Sequence, residues 1–134
     1  MKLSNARILV VEDAPDIQAL LRHLLRDYEL TIVANVEEAL YAATEGDFDL
    51  LLLDINLGED RTGVDLLGDL RALPQYATTP ALACTAYALH ADREHFLAQG
   101  FDAYVAKPFS RTDLLDTIDM ALKGEVAQSN TLVA

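Results

Sequence analysis

Short apolar runs alternate along the chain with stretches in which apolar residues recur every three or four positions. The runs predict strands at 7–11, 30–34, 50–53, 81–85 and 103–106. The helical spacing predicts helices at 15–27, 36–44, 64–72, 92–99 and 112–123. In the first helix Ile17, Leu20, Leu21 and Leu24 share one face; the second follows Asn35, whose capping side chain pairs with Glu38; Ser110 precedes the last as a cap. Strand and helix alternating at this pitch imply an α/β domain built from crossover units, with a parallel sheet covered by helices on both faces. Nearly continuous apolar strands such as "ILVV" and "LLLL" fit burial from two sides. The pattern ends at Gly124, so residues 1–124 are expected to form the domain and 125–134 a flexible tail.

The four leucines 50–53 run straight into Asp54, and the other strands end in a similar way. Glu12 and Asp13 follow the first strand, Thr85 closes the fourth, and Lys107 follows the fifth. In an open parallel sheet these carboxyl ends line one edge, where ligands bind. Each residue also has a plainer role. Asp13 before "AP" fits a helix cap, Glu12 a solvated loop acid, Asp54 a turn, Thr85 a structural strand end, and Lys107 an exposed lysine. What separates the two accounts is convergence. Two carboxylates about 5 Å apart repel by about 3 kcal/mol at an effective dielectric near 20, so three of them call for a cation. Donors that are all oxygen suit Mg2+ and not zinc. A metal beside a lysine, a hydroxyl and a carboxylate nucleophile describes a site for phosphoryl transfer.

Composition narrows the function classes. The chain has 134 residues, 51% of them hydrophobic, which is enough for one core and too little for two ordinary domains. Its formal charge of -12, from 22 acidic and 10 basic residues, argues against direct nucleic-acid binding or an anionic membrane surface. Cys84, the single cysteine, has no intrachain partner and reads as core; no apolar stretch approaches the roughly 20 residues of a membrane span. With no secretory pattern at the N-terminus, a cytoplasmic protein is expected.

Through "VVEDAPD", "LLLLDIN", "CTAYA" and "DAYVAKPF", spread over about residues 6–123, the chain resembles the response-regulator receiver domains of two-component signalling, which include the chemotaxis regulators. The resemblance implies a flavodoxin-like doubly wound sheet in strand order 2-1-3-4-5. It implies that Asp54 is the phosphoacceptor for a phosphohistidine. Asp13 then matches the direct Mg2+ ligand, Glu12 a ligand through water, and Asn56 a ligand through its backbone carbonyl. Thr85 matches the hydroxyl that turns toward the phosphoryl group, Lys107 the lysine that contacts it, and Tyr104 the aromatic switch; the Lys107-Pro108 bond is expected to be cis. From the residues alone Tyr104 reads as packing on the fifth strand; the family pattern around it favours the switch. The partners implied are a sensor histidine kinase or a histidine phosphotransfer protein, and a downstream protein bound by the face of the fourth helix, fifth strand and last helix. Such a protein catalyses its own phosphorylation and dephosphorylation without turning over a separate substrate.

Some positions depart from the family or point elsewhere. Receivers commonly carry proline four residues after the acceptor and glycine eight after it; here Gly58 holds the first place and Gly63 comes one residue late, which predicts a longer, more flexible loop. Asn56 and Tyr87 occupy positions that help set phosphoryl lifetime, with Tyr87 expected to shield attacking water. His23, His90 and His95 read as structural or surface residues, since His90 and His95 do not share a helix face. Tyr76, Phe101 and Phe109 read as packing. A phosphatase of the haloacid-dehalogenase type would need a second aspartate where Asn56 stands, and an FMN binder would need a hydroxyl- and glycine-rich loop in place of "EDAPD". A receiver-like interaction module without phosphotransfer is the remaining alternative.

Overall fold

A computed structural model describes residues 5–86, 95 and 97–124. Arg7–Val11 (β1), Glu29–Val33 (β2), Leu50–Asp54 (β3), Ala81–Thr85 (β4) and Ala103–Ala106 (β5) form one sheet in order β2-β1-β3-β4-β5. Every pairing is parallel. The helices are Pro15–Leu24 (α1), Val36–Glu45 (α2), Gly63–Arg71 (α3) and Arg111–Leu122 (α4), with a 3₁₀ turn at Pro74–Tyr76. Most of the helix predicted at 92–99 lies outside the described residues, though His95, Leu97 and Ala98 are helical. The expected tail at 125–134, Tyr87 and His90 also lie outside them.

Two cores sandwich the sheet, and strand alternation decides which side chain enters which. Leu9, Val11, Leu51, Leu53, Ala81 and Ala83 pack with α2 and α3, through Ala39, Ala43, Leu66 and Leu70. Ile8, Val10, Leu50, Leu52, Leu82 and Cys84 pack with Leu21 of α1 and with Leu114 and Ile118 of α4. Leu50 to Leu53 are each 0% exposed. Burying one such leucine contributes roughly 1.5–3 kcal/mol, which makes β3 a firmly held support for the residue at its end. The Cys84 thiol is pushed up from its usual pKa by burial, as a core cysteine should be.

Local signals explain most element boundaries. Asn35 Oδ1 accepts from Glu38 N at 2.9 Å, and Glu38 reaches back to Ala34 N, one residue before the cap. Thr62 and Asp65 form a reciprocal capping box on α3, and Ser110 Oγ accepts from Asp113 N. α1 stops at Leu24, short of the expected residue 27. Leu25 N–H closes on Leu21 O and Tyr28 N–H on Leu25 O, which turns the chain toward β2 while keeping Leu25 buried. α1 is capped by Ala14 with no side-chain hydrogen bond, so Asp13 does not have the capping role open to it from the sequence.

Away from the carboxyl edge, Tyr76 fastens α2 to the turn after α3. It is 1% exposed, and its hydroxyl lies 2.7 Å from Ala43 O and 2.8 Å from Gly46 O. Burial holds the phenol above its usual pKa, which keeps it a donor. Tyr76→Phe removes the donor from Gly46 O and leaves Ala43 O only the longer bond from Gln75 Nε2 at 3.5 Å, which should cost about 1–3 kcal/mol. Urea unfolding should show a lower midpoint with an unchanged slope and native circular dichroism; an unchanged midpoint would mean the hydroxyl adds no net stability.

Candidate functional site

The sheet order sets β1 beside β3, so Glu12, one residue past β1, comes next to Asp54 at the end of β3. Both positions continue the alternation of Ile8, Val10, Leu50 and Leu52, which puts their side chains on the α1 side of the edge. The ladders run on past the strand ends, with Glu12 N–H donating to Val33 O, Ile55 N–H to Cys84 O, and Lys107 N–H to Thr85 O. Backbone bonds therefore hold the site where it leaves the sheet.

Glu12 is 1% and Asp54 4% exposed, whereas Asp13 is exposed. One carboxylate oxygen from each lies within 4.8 Å of the other two. Lys107 supplies the counter-charge. Its Nζ is 2.8 Å from Glu12 Oε1 and 2.9 Å from Asp54 Oδ2. Burial alone would lower the lysine pKa, but its bonds to Glu12 and Asp54 outweigh that and hold it above its usual value. Burial raises Glu12 above the usual carboxylate range, against the pull of Lys107.

The remaining contacts define what the cluster still lacks. Glu12 Oε2 accepts from Ala14 N at 3.1 Å, and Asp54 Oδ1 accepts from Asn56 N at 3.1 Å. Glu12 Oε1 is buried and accepts no aligned hydrogen bond among the described residues; its approach to Lys107 is an ion pair. Three ionised carboxylates against one ammonium leave two negative charges in excess. An all-oxygen set with this excess and a poorly satisfied buried oxygen fits a hard divalent cation such as Mg2+. Among the described residues, no histidine or cysteine joins the cluster.

The cluster opens into a cleft of about 360 Å³ lined by Glu12, Asp13, Asp54, Asn56, Thr85 and Lys107, among others. All six residues singled out from the strand ends and the loop after β3 thus line one cleft. Thr85 is 2% exposed and belongs to the other alternation, that of Ala81 and Ala83. Tyr104 packs on that same core and is half-buried. The Lys107-Pro108 bond is cis. His23 and His95 are exposed and stand apart from the cluster.

The loop expected to be long and flexible is tied at several points. Gly63 N–H donates to Ile55 O, closing the base; a Cβ on Gly63 would lie 2.3 Å from Asp54 O, so the displaced glycine is required there. Leu57 is buried in the α2–α3 core, Gly58 turns with φ +70, and Arg61 pairs with Asp69. Two contacts near the site were not foreseen. Gln18 Nε2 donates to Glu12 O at 2.6 Å, and Glu59 Oε2 accepts from Val36 N at 3.1 Å.

Comparisons with known proteins agree with this fold. The family model for the response regulator receiver domain matches residues 8–119. An uncharacterised 14.6 kDa protein of Leptolyngbya boryana is 39% identical over 84% of this chain and 87% of its own length. Chemotaxis protein CheY-3 of Vibrio cholerae is 30% identical over 86% of this chain and 90% of its own. The chain spans about half the length of several transcriptional regulators that it also matches. Among solved structures, the receiver domain of sensor histidine kinase PA1611 from Pseudomonas aeruginosa superposes with a TM-score of 0.80 at 33% identity. That comparison covers 89% of this chain and 98% of the other, whose active-site cleft holds a coordinated magnesium ion.

Asp13 tests the charge argument directly. Asp13→Asn removes one of three clustered carboxylates and no helix cap. The metal-free variant should melt at a higher temperature than the parent, by a modest margin because Asp13 faces solvent. An equal or lower melting temperature in magnesium-free buffer would show that repulsion within the cluster is already fully relieved by Lys107.

Proposed function

The chain belongs to the response regulator receiver domain family of two-component signalling, and from that premise we propose that Asp54 is its phosphoacceptor. The observation that carries this reading is the position of Asp54. It ends a fully buried strand, pairs with Lys107, and has a carboxylate oxygen within 4.8 Å of those of two further acids. We assign residues 1–124 to the receiver domain.

In the reaction, an oxygen of Asp54 forms a bond to phosphorus as the donor's histidine N–P bond breaks. The bonding pair returns to the imidazole nitrogen, and the product on the protein is an acyl phosphate. Little covalent chemistry is asked of the other residues, since phosphoryl transfer rests on positioning and charge. Lys107 is placed to follow the charge from the carboxylate to a phosphoryl oxygen: it hydrogen-bonds Asp54 and pairs its charge with Glu12. Asp13, Asp54 and the Asn56 carbonyl would hold Mg2+, with Glu12 acting through water. When bound, the ion neutralises phosphoryl and carboxylate oxygens together. Asn56 N–H orients Asp54 through Oδ1.

Thr85 and Tyr104 are the proposed switch. They share the α2–α3 side of the sheet, while Glu12 and Asp54 lie in the opposite alternation. Turning the Thr85 hydroxyl toward a phosphoryl oxygen would open space on the Tyr104 side, a shift between two packed states biased by the new charge. The reporting face would include β5 and α4. The donor is a sensor histidine kinase or a histidine phosphotransfer protein in the cytoplasm, and the output is protein binding or onward transfer. No helix among the described residues is long and apolar enough to cross a membrane, which fits this setting.

Asp54→Asn keeps the side-chain volume and removes the nucleophile. Incubated with magnesium and a radiolabelled phosphohistidine donor, the parent should take up label and the variant none, with both retaining native circular dichroism. Label on the variant would sink the acceptor assignment. Loss of uptake by the parent in excess chelator is the matching expectation for the metal.

A further inference from the structure

The loop after β3 makes one long-range side-chain hydrogen bond that the proposed chemistry does not use. Glu59 Oε2 accepts from Val36 N at 3.1 Å, across 23 residues of sequence. Val36 is the first residue of α2, and its N–H is one of the donors that a helix leaves without an internal partner. Asn35 serves the N–H of Glu38, so Glu59 satisfies a different donor. The carboxylate also lies at the positive end of the helix dipole.

The contact fixes the path of the residues that face the cleft. Asn56 and Gly58 line it, Leu57 points the other way into the α2–α3 core, and Glu59 grips α2. The segment is also closed at its base by the Gly63–Ile55 hydrogen bond and stiffened where Asn56 Oδ1 accepts from Gly58 N at 3.2 Å. Gly58 stands close enough to Asp13 that an added Cβ would be 3.0 Å from Asp13 Oδ2. Glu59 itself is outside the group of carboxylates whose oxygens converge.

We propose that Glu59 is a positioning residue, which holds the Asn56–Gly58 segment against the carboxylate cluster by hydrogen-bonding the first N–H of α2 and so sets the affinity of the site for a divalent cation. This rests on the reading of Glu12, Asp13 and Asp54 as a magnesium site. Removing the bond should let the segment relax away from Asp13 and Asp54, with the backbone carbonyl of Asn56 moving along with it.

The test is magnesium titration of the metal-free full chain by calorimetry, with thermal melts to show that each variant is folded. Glu59→Ala should weaken magnesium binding on the order of tenfold, as loss of an outer partner of a metal site does. Glu59→Gln, whose carbonyl oxygen can still accept from Val36 N, should bind magnesium within about twofold of the parent, because the bond that positions the segment is kept. Val36→Pro deletes the same donor from the other side at a helix position where proline is tolerated, and should match Glu59→Ala. Parental affinity in both Glu59→Ala and Val36→Pro would overturn the proposal. Equal weakening in Glu59→Ala and Glu59→Gln would overturn it as well, by showing that the charge acts at a distance and the bond does not matter. A parent that binds no magnesium, or an Asp13→Asn variant that binds it unchanged, would overturn the underlying site reading and this inference with it; parental binding lost in Asp13→Asn but kept in Glu59→Ala overturns the inference alone.

Discussion

The ion triad of Lys107 with Glu12 and Asp54 is the interaction on which the carboxyl edge depends. β1 and β3 are neighbours in a sheet whose strands are buried on both faces, so two acids that follow them in the same alternation are driven together. Neither can turn away without pulling a leucine or valine out of a core. At such spacing two buried carboxylates repel by a few kcal/mol, and the ammonium at 2.8 and 2.9 Å from them is what makes the arrangement compatible with a stable fold. Lys107 is itself fastened through its backbone to the end of β4. Three strands therefore converge on one cation.

That triad also explains why the cluster is poised and not quenched. One lysine balances one of three acids, and its contact with Glu12 Oε1 is a charge contact without a well-aimed hydrogen bond. A site with every oxygen satisfied would have little reason to take a cation. Here the residual charge lines the cleft, with Glu12 and Asp54 buried in its wall and Asp13 exposed to solvent.

Much of this was readable from residue order because strands obey a period of two and end where the apolar run ends. "LLLLD" and "ILVVED" each state a buried strand and the residue forced to its edge. The same alternation, once the register is known from the structure, separates Glu12 and Asp54 from Thr85 and Tyr104. The strand order needed the family resemblance as well, since alternation alone does not say which strands are neighbours. Charge counting suggested three acids in need of a metal; the structure gives Lys107 a first share of that task, which a sequence cannot show because the lysine lies 53 residues from Asp54.

The loop after β3 was the least legible part, for a specific reason. In "INLGEDRTG" the acids Glu59 and Asp60 look alike, and only the route of the chain past α2 decides which one meets a helix N–H. Gly63 sits one place later than the family spacing, yet the steric demand that selects glycine travels with it, because the close approach is to the Asp54 carbonyl wherever the loop closes. The extra length is absorbed between Leu57 and Thr62, where Glu59 and Arg61 find partners on α2 and α3. An insertion that would loosen the wall of the cleft is thus restrained by polar contacts to the two helices on either side, and Asn56 stays beside Asp54.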